Sequence, residues 1–479
     1  MRRYLSIAFV LSAWATASLQ AQTRREIDWR AVETETMQHF QAILRMDTSD
    51  PPGIEKPVVD YLRQVLEREG IEVETFALEP NRPNLVARLK GNSSKRPILI
   101  MGHTDVVNVD PAKWTHPPFS ATRADGYVYG RGAVDDKDNV VASLMLMLIL
   151  KRMQVPLDRD VIFLAESGEE GSTRVGIQYM ANQHFAKIDA EFCLAEGGSV
   201  VRRAGQTRYA GIATTEKIPR AIELTARGTS GHGSVPLQSN AIAHLANAIA
   251  KINAWKSPVL LNETTRTYFN RLATVSSAAD AARYRAITGS SPEQAQAADV
   301  YFQANEPAHA SITRTSISPT IITVGYRVNV IPSEAKATLD VRMLPTEDTT
   351  AFLATIRRII ADSAVSVAYV VRDVRPATPV ATLNTEAFRV IESAVTKHYQ
   401  TMTLPTMLTG ATDMAYLRAK GIQCYGIGPA TDAEEGPRGF AAHSDQERIL
   451  ETDLHRFVRF QYDIVEQLAA TRRGTDQPR

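Results

Sequence analysis

Three apolar runs constrain this chain most. PILIMG (97–102) leads into His103, DVIFLAE (160–166) leads into Ser167-Gly168-Glu169-Glu170, and AEFCLAE (190–196) ends on Glu196 before two glycines. Each reads as a strand, as do VETFAL (73–78) and NLVARL (84–89). Helical patterns separate them, at 29–46, 55–69, a buried-looking 138–153 and 173–182. Strands alternating with helices predict an α/β sheet covered by helices on both faces. In such sheets ligands collect beyond the carboxyl ends of the strands. Here three strand ends each present His, Asp or Glu.

The pattern changes near residue 218. RAIELTARG (220–228) alternates like a strand with one wet face, and 240–255 reads as an amphipathic helix. A polar, Ala-rich stretch with no clear strand covers 262–310. Strand-like runs at 320–326, 335–343 and 366–372 follow, with a helix near 347–362. A β-α-β-β-α-β order predicts a separate α+β unit of the split, ferredoxin-like kind. The α/β style then returns, with helices at 385–399, 412–420 and 451–470 and a strand at 423–429. The expected layout is therefore one domain inserted into another: 22–217 and 374–479 forming the main domain, 218–373 the insertion.

Composition adds limits. Lys plus Arg is 54 and Asp plus Glu is 53, so no basic excess points to nucleic acid. The two cysteines, Cys193 and Cys424, sit in apolar runs and read as buried small hydrophobes, with a disulfide as the alternative in an exported chain. Arg2 and Arg3 precede an apolar, small-residue stretch at 4–19, and a polar segment follows Ala21. Residues 1–21 read as a secretory signal peptide, which predicts an exported protein, periplasmic or secreted. A retained anchor is the alternative. No later stretch approaches a membrane span.

The chemistry-bearing residues gather at the element ends. Besides His103, Asp105, Glu169, Glu170 and Glu196, Asp135-Asp136 lie just before the buried helix, and His443 lies in GFAAHSDQER. Carboxylates gathered at one apolar spot repel unless a cation offsets them. His with Asp and Glu, without thiolate, suits zinc best, then manganese or cobalt. One carboxylate can bridge two metals about 3.5–4 Å apart. A serine hydrolase is excluded, because Gly228-Thr229-Ser230-Gly231-His232 fails the Gly-x-Ser-x-Gly elbow at its last position.

GHTDVV (102–107), GRGAVDDK (130–137), ESGEEGS (166–172) and the late His443 together resemble the M20 peptidase family. The resemblance covers essentially the whole chain after the leader. It implies a zinc-peptidase-like α/β catalytic domain with an inserted lid, and two divalent metal ions, zinc first. It assigns His103 and Glu196 to one metal, Glu170 and His443 to the other, and Asp135 as the bridge. Glu169 would be the general base, and Asp105 would hold the His103 ring through its other nitrogen. A cis peptide is implied between Asp135 and Asp136. GTSGHGSVP (228–236) resembles the lid motif, whose His, here His232, stabilises the oxyanion. Asn329 and Arg342 resemble the lid residues that grip a substrate carboxylate, and Gly410-Ala411-Thr412-Asp413 resembles the family's Gly-Gly-Thr-Asp loop, whose backbone borders the substrate.

The long stretch 256–320, with NETTRTYFNRLA, resembles the carboxypeptidase S branch. That implies a carboxypeptidase or N-acyl-amino-acid hydrolase acting on small peptides or N-acyl amino acids, with an exported dipeptidase as the alternative. An inactive binding protein on the same scaffold would have lost ligands or base, and none is lost. The family also implies a possible homodimer through the lid. Two departures stand out. His443 is followed by Ser-Asp-Gln-Glu rather than by Gly and an acidic pair, and Ala411 replaces a glycine. His116, beside Pro117-Pro118, reads as a loop residue.

Overall fold

The computed structural model describes residues 26–371 and 375–471. The leader expected at 1–21 and the second crossing point near 373 lie outside the described residues.

The main sheet has ten strands. Its centre runs Pro83–Leu89, Val161–Glu166, Ile98–His103, Phe192–Ala195, Gln423–Gly426. The last four are mutually parallel, and the register sets His103 opposite Glu166. The apolar runs form strands because they are buried on both faces. Ile98, Ile100, Val161, Phe163 and Ala165 enter one core, while Leu99, Met101, Ile162 and Leu164 enter the other. Helices Trp29–Leu44, Lys137–Arg152, Glu386–Tyr399 and Glu451–Ala469 cover the first face. Ile177–Gln183 and Met414–Ala419 cover the second. Lys137–Arg152 is buried from Lys137 to Leu150, as an apolar helix packed between a sheet and other helices must be. Cys193 and Cys424 are buried, unbridged and paired in register on adjacent strands. No described helix is long and apolar enough to cross a membrane.

The inserted unit has its own antiparallel sheet, ordered Ser316–Val324, Glu334–Met343, Ile218–Arg227, Val365–Tyr369. Helices Ala241–Ala254 and Thr349–Ile360, capped by Asn240 and Asp348, close a separate core over it. This is the expected split β-α-β order.

The span 218–373 divides more finely than the sequence suggested. Its polar, Ala-rich stretch forms helices Glu263–Leu272, Ala278–Thr288, Pro292–Asn305 and Pro307–Ile312. Their aromatic core, with Phe269 and Phe302 stacked at 5.6 Å, closes on Leu404 and Met407 of the main-domain strand Thr403–Leu408. These helices therefore pack on the main sheet as well as leaving from the inserted one. Their few apolar residues are spent on a small, private cluster, which is why no strong periodicity announced them.

Candidate metal centre

Each strand-end residue is placed by the strand before it. His103 closes Ile98–His103 and is almost fully buried. Its Nε2 lies 3.0 Å from Asp135 Oδ1, and its Nδ1 lies 3.0 Å from the Asp105 backbone carbonyl. Asp135 sits in the turn that enters Lys137–Arg152, and the Asp135–Asp136 peptide is cis. The second Asp135 oxygen lies 3.1 Å from His443 Nε2, which is 2.8 Å from Glu170 Oε1. Two ligand sets result, His103 with Asp135 and Glu196, and Asp135 with Glu170 and His443, each within 4.8 Å. Asp135 belongs to both. Asp136 turns away, accepting from the His103 backbone N–H at 3.1 Å and from the Asn139 amide at 2.9 Å.

The donor chemistry fits a pair of divalent cations. Asp135 presents one oxygen to each histidine, as a bridging carboxylate does. The electrostatics point the same way. Burial pushes the Glu196 carboxyl well above its ordinary range, with Glu169 and Asp135 adding to the rise, and burial pushes Asp136 up to about 7. Hydrogen bonds to Asp135 and Glu170 push the His443 ring up to about 10. Against burial, Asp105 and Asp135 hold the His103 ring well above its ordinary value. Buried acid in excess of buried base is relieved by positive charge between the side chains.

A third acidic group, Asp50 with Glu55 and Asp105, lies within the same span. Its charge is answered by a protein cation. Arg82 reaches Asp50 at 2.5 Å and Glu55 at 2.6 Å.

Asp105 does more than the sequence suggested. Its carboxylate lies 3.6 Å from His103 Nδ1, beyond hydrogen-bond distance, and the backbone carbonyl faces the ring instead. The carboxylate accepts three backbone N–H groups, from Gly168 at 2.8 Å, Glu169 at 3.2 Å and Glu170 at 3.0 Å. It is therefore the organiser of the loop that carries the base candidate and a ligand candidate. Gly168 has φ +79, and a Cβ there would meet Ser172 O at 2.5 Å.

Sequence reasoning missed three neighbours. Arg375 donates to Glu169 at 3.0 Å and to Asp413 at 3.2 Å. Glu447, in the departing segment after His443, is buried and accepts from Arg131 at 2.6 Å and Val134 N–H at 2.9 Å, holding the Gly-Arg-Gly loop. Glu216 accepts from Thr412 and Arg418. Arg375 and Glu216 carry no local signal, and Glu447 carries only its place in the departing run after His443. His116 packs its ring 4.6 Å from Tyr129 and joins neither ligand set.

The inserted-domain candidates stand apart from the cluster. His232 is exposed, with Nδ1 2.7 Å from Ser234 Oγ. Its short strand pairs with Val330–Ile331, beside Asn329, whose carbonyl accepts from Gly233 N–H at 2.8 Å. Arg342 pairs with Asp340 at 2.9 Å, and Gly410 is exposed with open space around it. Among the described residues, none of these four bonds to the five ligand candidates. A cavity of about 460 Å³ opens beside Asp135 and Glu196, walled by Ile427, Pro429, Phe440 and Tyr127.

The model of peptidase family M20/M25/M40 matches residues 99–467. The chain belongs to that family. It is 30% identical over 341 residues to probable carboxypeptidase S-like 2 of Dictyostelium discoideum, covering 69% of this chain and 64% of that one. It is 31% identical over 278 residues to the human N-fatty-acyl-amino acid synthase/hydrolase PM20D1, covering 57% and 54%. The chain thus spans between half and two thirds of the length of these M20 relatives. An M20 metallo-carboxypeptidase of Sulfolobus solfataricus, Sso-CP2, shares the fold, with TM-score 0.68, 21% identity and coverage of 90% and 98%.

Proposed function

We propose that this M20 chain is a metal-dependent hydrolase that cleaves the amide bond of small peptides or N-acyl amino acids carrying a free carboxylate. The observation that carries the reading is Asp135 set between His103 and His443, with Glu169 one residue from Glu170. Membership of the M20 family and the likeness to carboxypeptidase S-like and N-fatty-acyl-amino acid relatives support it.

His103, Asp135, Glu196, Glu170 and His443 would hold two divalent ions, zinc before manganese or cobalt. When bound, such ions supply Lewis acidity and lower the pKa of water toward neutrality. Glu169 accepts the proton of the attacking water through a carboxylate oxygen and returns it to the leaving nitrogen. The inserted domain closes over the substrate, bringing His232 to the carbonyl oxygen as it gains negative charge. Arg342 and Asn329 grip the free carboxylate, for which the guanidinium fork is suited. The Gly410 loop borders the substrate. The basic n-region and apolar stretch of residues 1–21 support export of the chain, and the mature N-terminus read by mass spectrometry tests it.

The test of activity is a substrate panel on zinc-loaded protein, covering dipeptides, short and long N-acyl amino acids and their amidated counterparts. Amine release confined to free carboxylates, lost with chelator and absent in Glu169→Ala with metal retained, is expected. Cleavage of dipeptides alone selects the dipeptidase reading. No cleavage by metal-replete protein refutes a hydrolase of this substrate class.

A further inference from the structure

Two groups from opposite ends of the inserted unit, Glu216 and Arg375, reach the Asp413 loop beside the base candidate. At the first, Glu216 ends the Gln206–Glu216 strand, and Ile218 begins the inserted sheet. The buried Glu216 carboxylate accepts from Thr412 N–H at 3.2 Å, Thr412 Oγ1 at 2.7 Å and Arg418 Nη1 at 2.8 Å. This pins the loop that carries Asp413. At the second, the chain leaves the inserted sheet after Val365–Tyr369, and Arg375 lies on the returning segment. Its side chain is only 13% exposed. Nη1 reaches Asp413 Oδ1 at 3.2 Å and Nη2 reaches Glu169 Oε1 at 3.0 Å.

We propose that Arg375 is the positioning residue of Glu169 and ties it to the Asp413 loop that Glu216 holds. This rests on the hydrolase reading of the site. The guanidinium is planar and rigid, and one terminal nitrogen is held by a buried carboxylate whose loop is itself tied to Glu216. The other terminal nitrogen then fixes one oxygen of Glu169. The second Glu169 oxygen accepts from no described protein donor, and it is the one left to take a proton. Glu169 is therefore set by a cation that comes from the returning crossing, rather than by its own loop alone.

Lysine cannot reproduce the arrangement, because a single ammonium lacks the fork that reaches two carboxylates in fixed directions. Misplacing a reacting group by about 1 Å costs on the order of 100-fold in rate.

The experiment compares full-length wild type, Arg375→Ala and Arg375→Lys, each loaded with zinc and assayed for metal content, kcat and KM on the substrate cleaved best by wild type. Arg375→Ala is expected to lose roughly 100-fold in kcat at unchanged KM and metal content. Guanidinium chloride at non-denaturing concentration is expected to restore part of it. Arg375→Lys should recover less than a tenth of the wild-type kcat, and it serves alone if the alanine variant does not fold. A rise in KM at constant kcat would make Arg375 a substrate contact and overturn the proposal. So would a fall in kcat that tracks lost metal, or an unchanged kcat. The crystal structure of metal-free Arg375→Ala gives a readout independent of turnover. Glu169 should turn or take more than one rotamer, and a carboxylate left as in wild type overturns the proposal. Wild-type protein that hydrolyses nothing on the panel would remove the hydrolase reading while leaving this structural result to be read.

Discussion

Replacing Asp105 by asparagine tests whether a single carboxylate organises the loop that bears Glu169 and Glu170. The side chain keeps its shape, so packing is unchanged and only the hydrogen bonding alters. In the native loop Oδ1 accepts from Gly168 and Glu169 and Oδ2 from Glu170. The amide has one acceptor. If its oxygen serves Gly168 and Glu169, its NH₂ faces the Glu170 N–H, donor against donor. A buried unsatisfied donor costs about 1–3 kcal/mol, and two bonds to a charged acceptor become neutral ones at a loss of about 1 kcal/mol each. The three share one side chain and do not add fully, which leaves a net cost of roughly 3 kcal/mol. Part of it falls on function, because the loop carries the ligand candidate Glu170 and the base candidate Glu169. Groups that orient metal ligands typically cost about 10–100-fold when altered. The assay is urea unfolding of metal-free protein, together with zinc affinity and kcat/KM of the loaded enzyme. A variant within about 0.5 kcal/mol of wild type, with kcat/KM within roughly twofold, would refute the role assigned to Asp105.

Two further outcomes follow from the geometry. His443→Ala removes one of three side chains in the Asp135–Glu170–His443 set while leaving the other set whole. Metal analysis after dialysis should find close to one ion per chain in place of two, and unchanged occupancy would assign the second site elsewhere. Lys217 is fully buried at the first crossing, donating to the Ser311 carbonyl at 2.8 Å and to Ser316 at 2.9 Å, and burial pulls its pKa down to about 7. The unfolded chain then binds more protons than the folded one between pH 7 and about 10.4, so this group makes stability rise with pH across that window. Its penalty is fully present below pH 7. Lys217→Met should lower the slope of unfolding free energy against pH between 7 and 9 by up to about 1.4 kcal/mol per pH unit. Equal slopes in the two proteins would show that Lys217 is charged in the folded state.

Much of the architecture was legible in local patterns. The runs at 97–102, 160–166 and 190–196 became central strands, since residues at alternating positions enter two different cores. The Lys137–Arg152 helix was legible from its length and continuous apolarity. The four helices between Glu263 and Ile312 were not, because their polarity hides a small aromatic core that closes only against Leu404 and Met407. The five ligand candidates were readable as a set through their family-like motifs, and the structure brings them together. The neighbours that hold them in place were not. Glu447 lies 316 residues from Arg131, and Arg375 lies 206 from Glu169.

The sequence by itself determined the central strands and which side chains would stand at their ends, because hydrophobic period and short motifs are properties of neighbouring residues, but not the strands Ser199–Arg203, Gln206–Glu216 and Thr403–Leu408 beside them. Tertiary structure decided that Asp135 faces both histidines while Asp136 binds backbone. It also decided that Asp105 serves the Gly168–Glu170 loop more than the His103 ring, and that Arg82 neutralises one acidic group while the Asp135 group gathers around two histidines. These choices depend on which distant groups share a buried space. There charge and hydrogen bonding must balance locally, and no stretch of sequence records who the partners are.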